Sequence, residues 1–296
     1  MITNLAIGRS GRLGNQIFQF AILKCISLYK GYRIVLPKEN SENITDGRYN
    51  PDINGIDKYK LDLFNCFELD VETDTVQNIV NKIQYEHKEN LTMDYDINLI
   101  PNSKDHTNYD GFYQCIQYYI SFQEKLKKDL IFKKDLQNIV ENYLNNIKKQ
   151  HNIETIVTVH VRRGDLASDS GKYQVLLSNE YYKNLIDTLK NNKTKFLLLS
   201  DNIEWCKENI KDDNIIYCDI DKSNNNIQPH ILDFCTLANG DKIIMSSSSF
   251  SWWAAFLSNS KEIYCPNRWF GSQYTNFHES NIRHPNWIKV QYKGLP

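Results

Sequence analysis

The sequence is short of the features that would place it in several large classes of protein. It has no C-x-x-C pair, and its seven cysteines (Cys25, Cys66, Cys115, Cys206, Cys218, Cys235 and Cys265) are odd in number and widely scattered. They suit a reducing compartment as small buried hydrophobes better than a disulfide framework or a zinc site. No apolar run approaches the roughly 18 residues of a membrane-spanning helix, and the amino terminus lacks the basic region and apolar core of a signal peptide. Cytoplasm is the expected compartment, with a peripheral place at a membrane also compatible. Neither charge sign is in excess: 35 Lys and Arg stand against 36 Asp and Glu, so no overall field draws the chain to nucleic acid or an anionic surface. Also missing are the G-x-G-x-x-G dinucleotide fingerprint and the G-K-[ST] of a P-loop.

What the 296 residues do contain is an alternation of short apolar runs and helical patterns. Thr155-Ile-Val-Thr-Val159 is β-branched throughout and reads as a strand buried on both faces. After it come strands at 196–199, 215–218, 242–245 and 262–265, separated by helices at about 203–209, 230–238 and 249–258. Such alternation implies a parallel doubly wound sheet. The first half opens similarly, with a strand at 4–7, a helix carrying Ile17, Phe18, Ala21, Cys25 and Leu28 on one face, and a strand at 32–36. Between about Lys38 and Gln114 the periodicity fades. A helical region from Ile120 to about Lys149 precedes a domain boundary near residue 150, dividing the chain into 1–150 and 151–296.

Three segments carry chemistry. His160-Val-Arg-Arg-Gly-Asp165 lies at the carboxyl end of the motif strand, where open parallel sheets bind ligands. Alternation sends His160 and Arg162 to one side and Arg163 to the other. A guanidinium donates two parallel hydrogen bonds and is always charged, which suits a phosphate. Isolated, the motif is equally well explained as a structural Arg–Asp pair, with Asp165 the partner of Arg163. Met245 is followed by Ser246-Ser-Ser-Ser-Phe-Ser251 and an apolar helix, so Ser248, Ser249 and Phe250 mark a helix start, a ready anion site or an ordinary cap. Gly8-Arg-Ser-Gly-Arg-Leu-Gly-Asn-Gln16 is a glycine-rich turn between strand and helix. In it Gly14 allows close backbone approach, while Arg12 and Asn15 offer polar groups to a diphosphate or sugar.

Together, in this order, the segments resemble the α-1,2-fucosyltransferases of glycosyltransferase family eleven. The matching stretches are Gly11-Arg-Leu-Gly-Asn-Gln-Ile-Phe-Gln19, His160 to Asp165 and Ser248-Ser-Phe-Ser-Trp-Trp253. Leu199-Ser-Asp-Asn-Ile-Glu-Trp205 is similar to the family's S-D-D-x-x-W, with Asn202 in place of the second aspartate. The likeness runs from residue 4 to about Phe270. It implies an α/β enzyme of GT-B type, two Rossmann-like domains facing a central cleft. The activity implied is transfer of L-fucose from GDP-β-L-fucose, with inversion, to O2 of a galactosyl glycan acceptor, without cofactor or metal. In related fucosyltransferases the residue matching Arg162 holds the β-phosphate, and an aspartate placed like Asp233 accepts hydrogen bonds from the guanine edge. His160 is either a phosphate, ribose or base contact or a core histidine. The general base is left open, with Asp165 and His160 as candidates. Two rival readings remain: a metal-dependent GT-A enzyme using Asp219-Ile-Asp221, and a glycan-binding protein with Trp252, Trp253 and Trp269 as stacking platforms.

Overall fold

A computed structural model describes residues 1–39, 60–90, 92–168, 172–223, 227–274 and 276–291, with Asp165 and Ser168 by backbone alone. The chain divides into two compact units, Met1–Ile131 and Phe132–Pro296. This division falls earlier than the boundary near residue 150 suggested by the sequence pattern. The helix Lys134–His151 buries Leu136, Val140, Leu144 and Ile147 along one stripe. Its polar side chains also reach into the second unit: Tyr143 donates to Asp219 at 2.8 Å and Lys148 to Asp241 at 2.9 Å.

The first unit holds β1 (Ile2–Thr3), β2 (Val35–Pro37), β3 (Glu72–Asp74), β4 (Tyr85–Lys88) and β5 (Thr107–Asp110). They pair in parallel as β1-β5-β4 and β2-β3, and a parallel bridge between Ile2 and Ile34 links the two sets. The expected strand at 4–7 is displaced to Ile2–Thr3. The Asn4 side chain accepts the Ala6 N–H at 2.9 Å, and Arg9 and Ser10 N–H donate to the Ala6 carbonyl, so the chain turns there instead of extending. The strand expected at 32–36 likewise begins later, at Val35. The helix Leu13–Lys30 follows the glycine turn and is buried almost all round, which is why its apolar residues exceed one face. β3, β4 and β5 lie in the stretch without readable periodicity, part of which, residues 40–59 and 91, is outside the described residues.

In the second unit, β6 (Thr155–Val161), β7 (Thr194–Ser200), β8 (Ile215–Tyr217), β9 (Lys242–Ile244), β10 (Glu262–Pro266) and β11 (Ile288–Val290) form one parallel sheet. Its order is β11-β10-β9-β6-β7-β8. The chain starts in the middle, winds outward one way, then returns and winds the other way, giving the Rossmann order with a switch point between β6 and β9. Val157, Val159 and Val161 pack on one face against Tyr181, Tyr182, Leu185 and Ile186 of the helix Asn179–Leu189. On the opposite face Thr158 donates to the Leu237 carbonyl of the helix Pro229–Ala238 at 2.9 Å. Both faces being covered, β6 is buried from Ile156 to Val161, with β-branched residues on both sides, as in buried parallel strands.

Candidate functional site

The carboxyl ends of β6 and β9 bring the second-unit residues together. His160 is 5% exposed and its Nδ1 shares a hydrogen bond of 2.7 Å with the Ser246 hydroxyl, just beyond β9. Its ring stacks on Phe250 with centroids 5.1 Å apart, and Phe250 meets Phe234 edge-on at 5.1 Å. Burial, helped by the neighbouring Arg162 charge, pushes the imidazole down to about 3, so it is neutral at physiological pH. Ser251 ties the turn by donating to the Ser246 carbonyl at 3.0 Å. Ser248 is the N-cap of the helix Ser249–Leu257, its hydroxyl accepting the Phe250 N–H at 3.3 Å.

Arg162 stands just past β6 with its guanidinium on the Asp201 carboxylate, and the pair is mostly sheltered from solvent. Asp201 follows β7, in register beside the end of β6, where Val161 pairs with Ser200. The same carboxylate accepts the Arg163 backbone N–H at 2.8 Å. Arg163 leaves the other face of the strand, its guanidinium 3.9 Å above the Trp205 ring. The alternation expected for the two arginines holds, and Arg163 finds an aromatic face. The proposed pairing of Arg163 with Asp165, and Asp165 as a base, concern a side chain outside the described residues. Asn202 caps the helix Ile203–Asn209 by accepting the Trp205 N–H at 3.1 Å, a task asparagine and aspartate perform about equally. Asp201 was missed as a site residue. The S-D-N-x-x-W stretch held the signal, since a carboxylate at the end of the strand beside β6 has an arginine in reach.

Asp233 lies on the helix Pro229–Ala238, one carboxylate oxygen 2.9 Å from Lys222 Nζ. The other, Oδ1, is buried without a hydrogen-bond partner among the described residues. Burial raises its pKa against the opposing pull of Lys222 and His230. An unsatisfied buried carboxylate oxygen costs free energy until a donor meets it.

Arg12, Gly14 and Asn15 belong to the first unit, at the start of the helix Leu13–Lys30. Gly11 has φ of +81°, and a Cβ there would run into the Asn15 side chain. Asn15 is in turn fixed by Gln114, which donates to its Oδ1 at 3.0 Å. Arg12 is the extended residue before the helix and makes no side-chain cap.

The rival motifs are placed otherwise. Asp219 accepts from Tyr143, and Asp221 accepts the Ser223 N–H at 2.8 Å. Among the described residues no three His, Cys, Asp or Glu side chains gather as a metal site would require. Trp252 and Trp253 are fully buried and Trp269 nearly so, packed as core rather than presented to a glycan. Among the described residues no helix is long and apolar enough to cross a membrane.

The second unit is thus a doubly wound parallel sheet whose switch point, the place where open α/β sheets bind ligands, gathers a guanidinium, a buried imidazole and a capped helix start. The chain belongs to glycosyl transferase family 11, whose sequence profile matches residues 2–291. It is 29% identical over 303 residues to an alpha-1,2-colitosyltransferase of Escherichia coli, covering 95% of this chain and 97% of that one. With the galactoside alpha-(1,2)-fucosyltransferase 2 of Mus musculus the identity is 23%, over 88% and 70%. Among solved structures, NodZ alpha-1,6-fucosyltransferase soaked with GDP-fucose aligns over 87% of this chain and 90% of its own, at 13% identity and a TM-score of 0.47.

Proposed function

We propose that the chain is an inverting GT-B-type glycosyltransferase that moves L-fucose from GDP-β-L-fucose to O2 of a galactosyl acceptor, with the donor bound in the second unit. The observation that carries this reading is the convergence of Arg162, His160 and the Ser248–Phe250 helix start at the β6–β9 switch point of a family 11 chain. In such a transfer the sugar acquires oxocarbenium character while negative charge grows on the departing diphosphate. Arg162 is the group to meet that charge, held in place by Asp201. The open Oδ1 of Asp233 suits the N–H donors of a guanine edge. Arg12, Gly14 and Asn15 are the first unit's contribution to donor binding, beside its role towards the acceptor. With arginine supplying the positive charge, no divalent metal is needed.

The test is incubation with GDP-fucose and a panel of β-galactosides in excess EDTA, followed by linkage and anomer analysis. An α-1,2-fucosylated product is expected. A product in which the anomeric configuration is retained would end the mechanism, and dependence on added Mn²⁺ would favour the Asp219–Asp221 reading. A second donor comes from the E. coli relative named as a colitosyltransferase, which is similar over nearly the whole chain. Colitose is fucose without its 3-hydroxyl. A site that hydrogen-bonds that hydroxyl discriminates strongly against the deoxy sugar, and a site that does not accepts both. Competition between GDP-fucose and GDP-colitose separates the two.

A further inference from the structure

The chain leaving the carboxyl end of β10 is tied to the switch-point site within the second unit. The Ser247 hydroxyl, one residue before the helix cap, donates to the Arg268 carbonyl at 3.4 Å. Two further braces hold the stretch that follows. The segment after the arginine motif forms an antiparallel bridge with it, between Gln174 and Phe270. There the Val175 N–H donates to the Trp269 carbonyl and the Gly271 N–H to the Tyr173 carbonyl, each at 2.9 Å. The Glu279 carboxylate accepts the Trp269 N–H at 2.8 Å. An antiparallel patch braced in this way, at the carboxyl end of a parallel sheet, is a rigid mount where open sheets bind ligands.

What the mount carries is a row of aromatic rings. Phe270 is buried and meets Phe277 edge-on, with centroids 5.1 Å apart. Phe277 stacks on Tyr274 at 4.4 Å with an interplanar angle of 12°, and Tyr274 leans on Tyr173 at 5.7 Å. The row therefore runs from the core to the solvent. It ends on Tyr173, 45% exposed, the one exposed Phe, Tyr or Trp among the described residues of the second unit. Neither the Tyr173 nor the Tyr274 hydroxyl has a hydrogen-bond partner among the described residues.

We propose, on the reading that this chain transfers a sugar to a glycan, that Tyr173, Tyr274 and Phe277 form an acceptor subsite on which a pyranose of that glycan stacks. A pyranose presents a face of C–H groups rimmed by hydroxyls. The row presents ring faces beside two phenol hydroxyls that are open to a ligand, an apolar body with a polar tip. In that reading the donor belongs at the β6–β9 switch point, and the platform stands beyond β10, one strand further along the same sheet. Both sites thus lie at the carboxyl end of one sheet, in one unit. A membrane surface fits the row less well, because it needs a broad apolar face and only the last ring here is exposed.

The experiment compares wild type, Tyr173→Ala and Tyr173→Trp with lacto-N-biose as acceptor and whichever of GDP-fucose and GDP-colitose wild type uses as donor. Steady-state kinetics and melting temperature are measured, together with saturation transfer by NMR from the protein's aromatic protons to lacto-N-biose in the presence of GDP. Tyr173→Ala should raise the acceptor KM roughly 3- to 10-fold, the size of one lost aromatic contact, with kcat, donor KM and melting temperature kept. Tyr173→Trp, which keeps a ring face, should restore the acceptor KM. Saturation transfer should weaken in the alanine variant alone. An unchanged acceptor KM in Tyr173→Ala overturns the proposal while the functional reading stands, and so does a tryptophan variant as weak as alanine. A KM effect that comes with a changed donor KM or lowered melting makes Tyr173 a brace of the loop, and also overturns it. Sedimentation of wild type, but not of Tyr173→Ala, with phosphatidylglycerol vesicles at unchanged acceptor KM gives the platform to a membrane instead. Absence of transfer by wild type from either donor overturns the functional reading by itself. The platform is then judged by NMR: saturation transfer lost in Tyr173→Ala supports it, and transfer equal in both proteins or absent from wild type overturns it.

Discussion

The Asp201 carboxylate clasps the Arg162 guanidinium with one oxygen and the Arg163 backbone N–H with the other. It therefore fixes both the direction of the charged group and the path of the chain leaving β6. Arg162→Lys should keep a positive charge but lose the planar fork that the proposed phosphate contact needs. By analogy with removal of one oxyanion donor, kcat should fall roughly 10²- to 10³-fold, with the melting temperature nearly kept. Asp201→Asn, which retains an acceptor for the Arg163 N–H, should lower kcat less. Steady-state kinetics and thermal melts on both variants give the answer. Normal transfer by Arg162→Lys with unchanged GDP affinity would place the phosphate clamp elsewhere.

Arg163 should behave in the opposite way. Its guanidinium stands over the Trp205 ring, a contact worth about 0.5–2 kcal/mol depending on how dry it is. Arg163→Lys should lower stability by about 1 kcal/mol and leave kcat close to normal. Denaturant titration with parallel assays distinguishes the two arginines. A large kcat loss at unchanged stability would reverse their roles.

Much of the second unit was legible because its inner strands, such as β6 and β7, are buried on both faces and so read as continuous apolar runs between helical patterns, whereas the largely exposed edge strand β11 was not read. The two arginines separate by simple alternation along β6, and Arg163 is found where alternation sends it. The first unit was harder to read. Its strands β3, β4 and β5, such as Tyr85-Glu-His-Lys88, are polar and short, so no period distinguishes them from loops. Asn4 looked like the start of a strand because nothing in the local pattern shows that its side chain will turn the backbone. Asp201 was equally hidden. It gains its meaning from a neighbouring strand end, and strand order is set by long-range pairing rather than by local sequence.

His160 should contribute to acid lability rather than to the pH profile of the reaction. Its folded pKa is about 3, against an ordinary value of 6.5. Between those values the unfolded chain binds a proton that the folded chain refuses, so stability falls as the pH drops through that window. Imidazole resonances should show a neutral ring at pH 5. His160→Gln should flatten the decline in melting temperature between pH 6.5 and pH 4. A ring that titrates near 6.5 in the folded protein would mean that it is not enclosed as described.

Gly164 follows the two arginines with φ of +22°, and an added Cβ would sit 2.5 Å from Asp201 Oδ2 and 2.8 Å from Arg162 Nη1. Gly164→Ala must therefore displace the ion pair or the backbone. The backbone strain alone should cost about 1–2 kcal/mol, because a side chain is disfavoured there. Since the intruding methyl and the Asp201 carboxylate compete for one space, the two sites should be coupled. In an Asp201→Ala background the Gly164→Ala change should cost markedly less activity than in wild type, a non-additivity of roughly 0.5–3 kcal/mol in transition-state terms. A double-mutant cycle on kcat/KM measures this directly. Strictly additive losses would show that Gly164 serves only the turn of the chain, and that Arg162 does not depend on the room its missing side chain leaves.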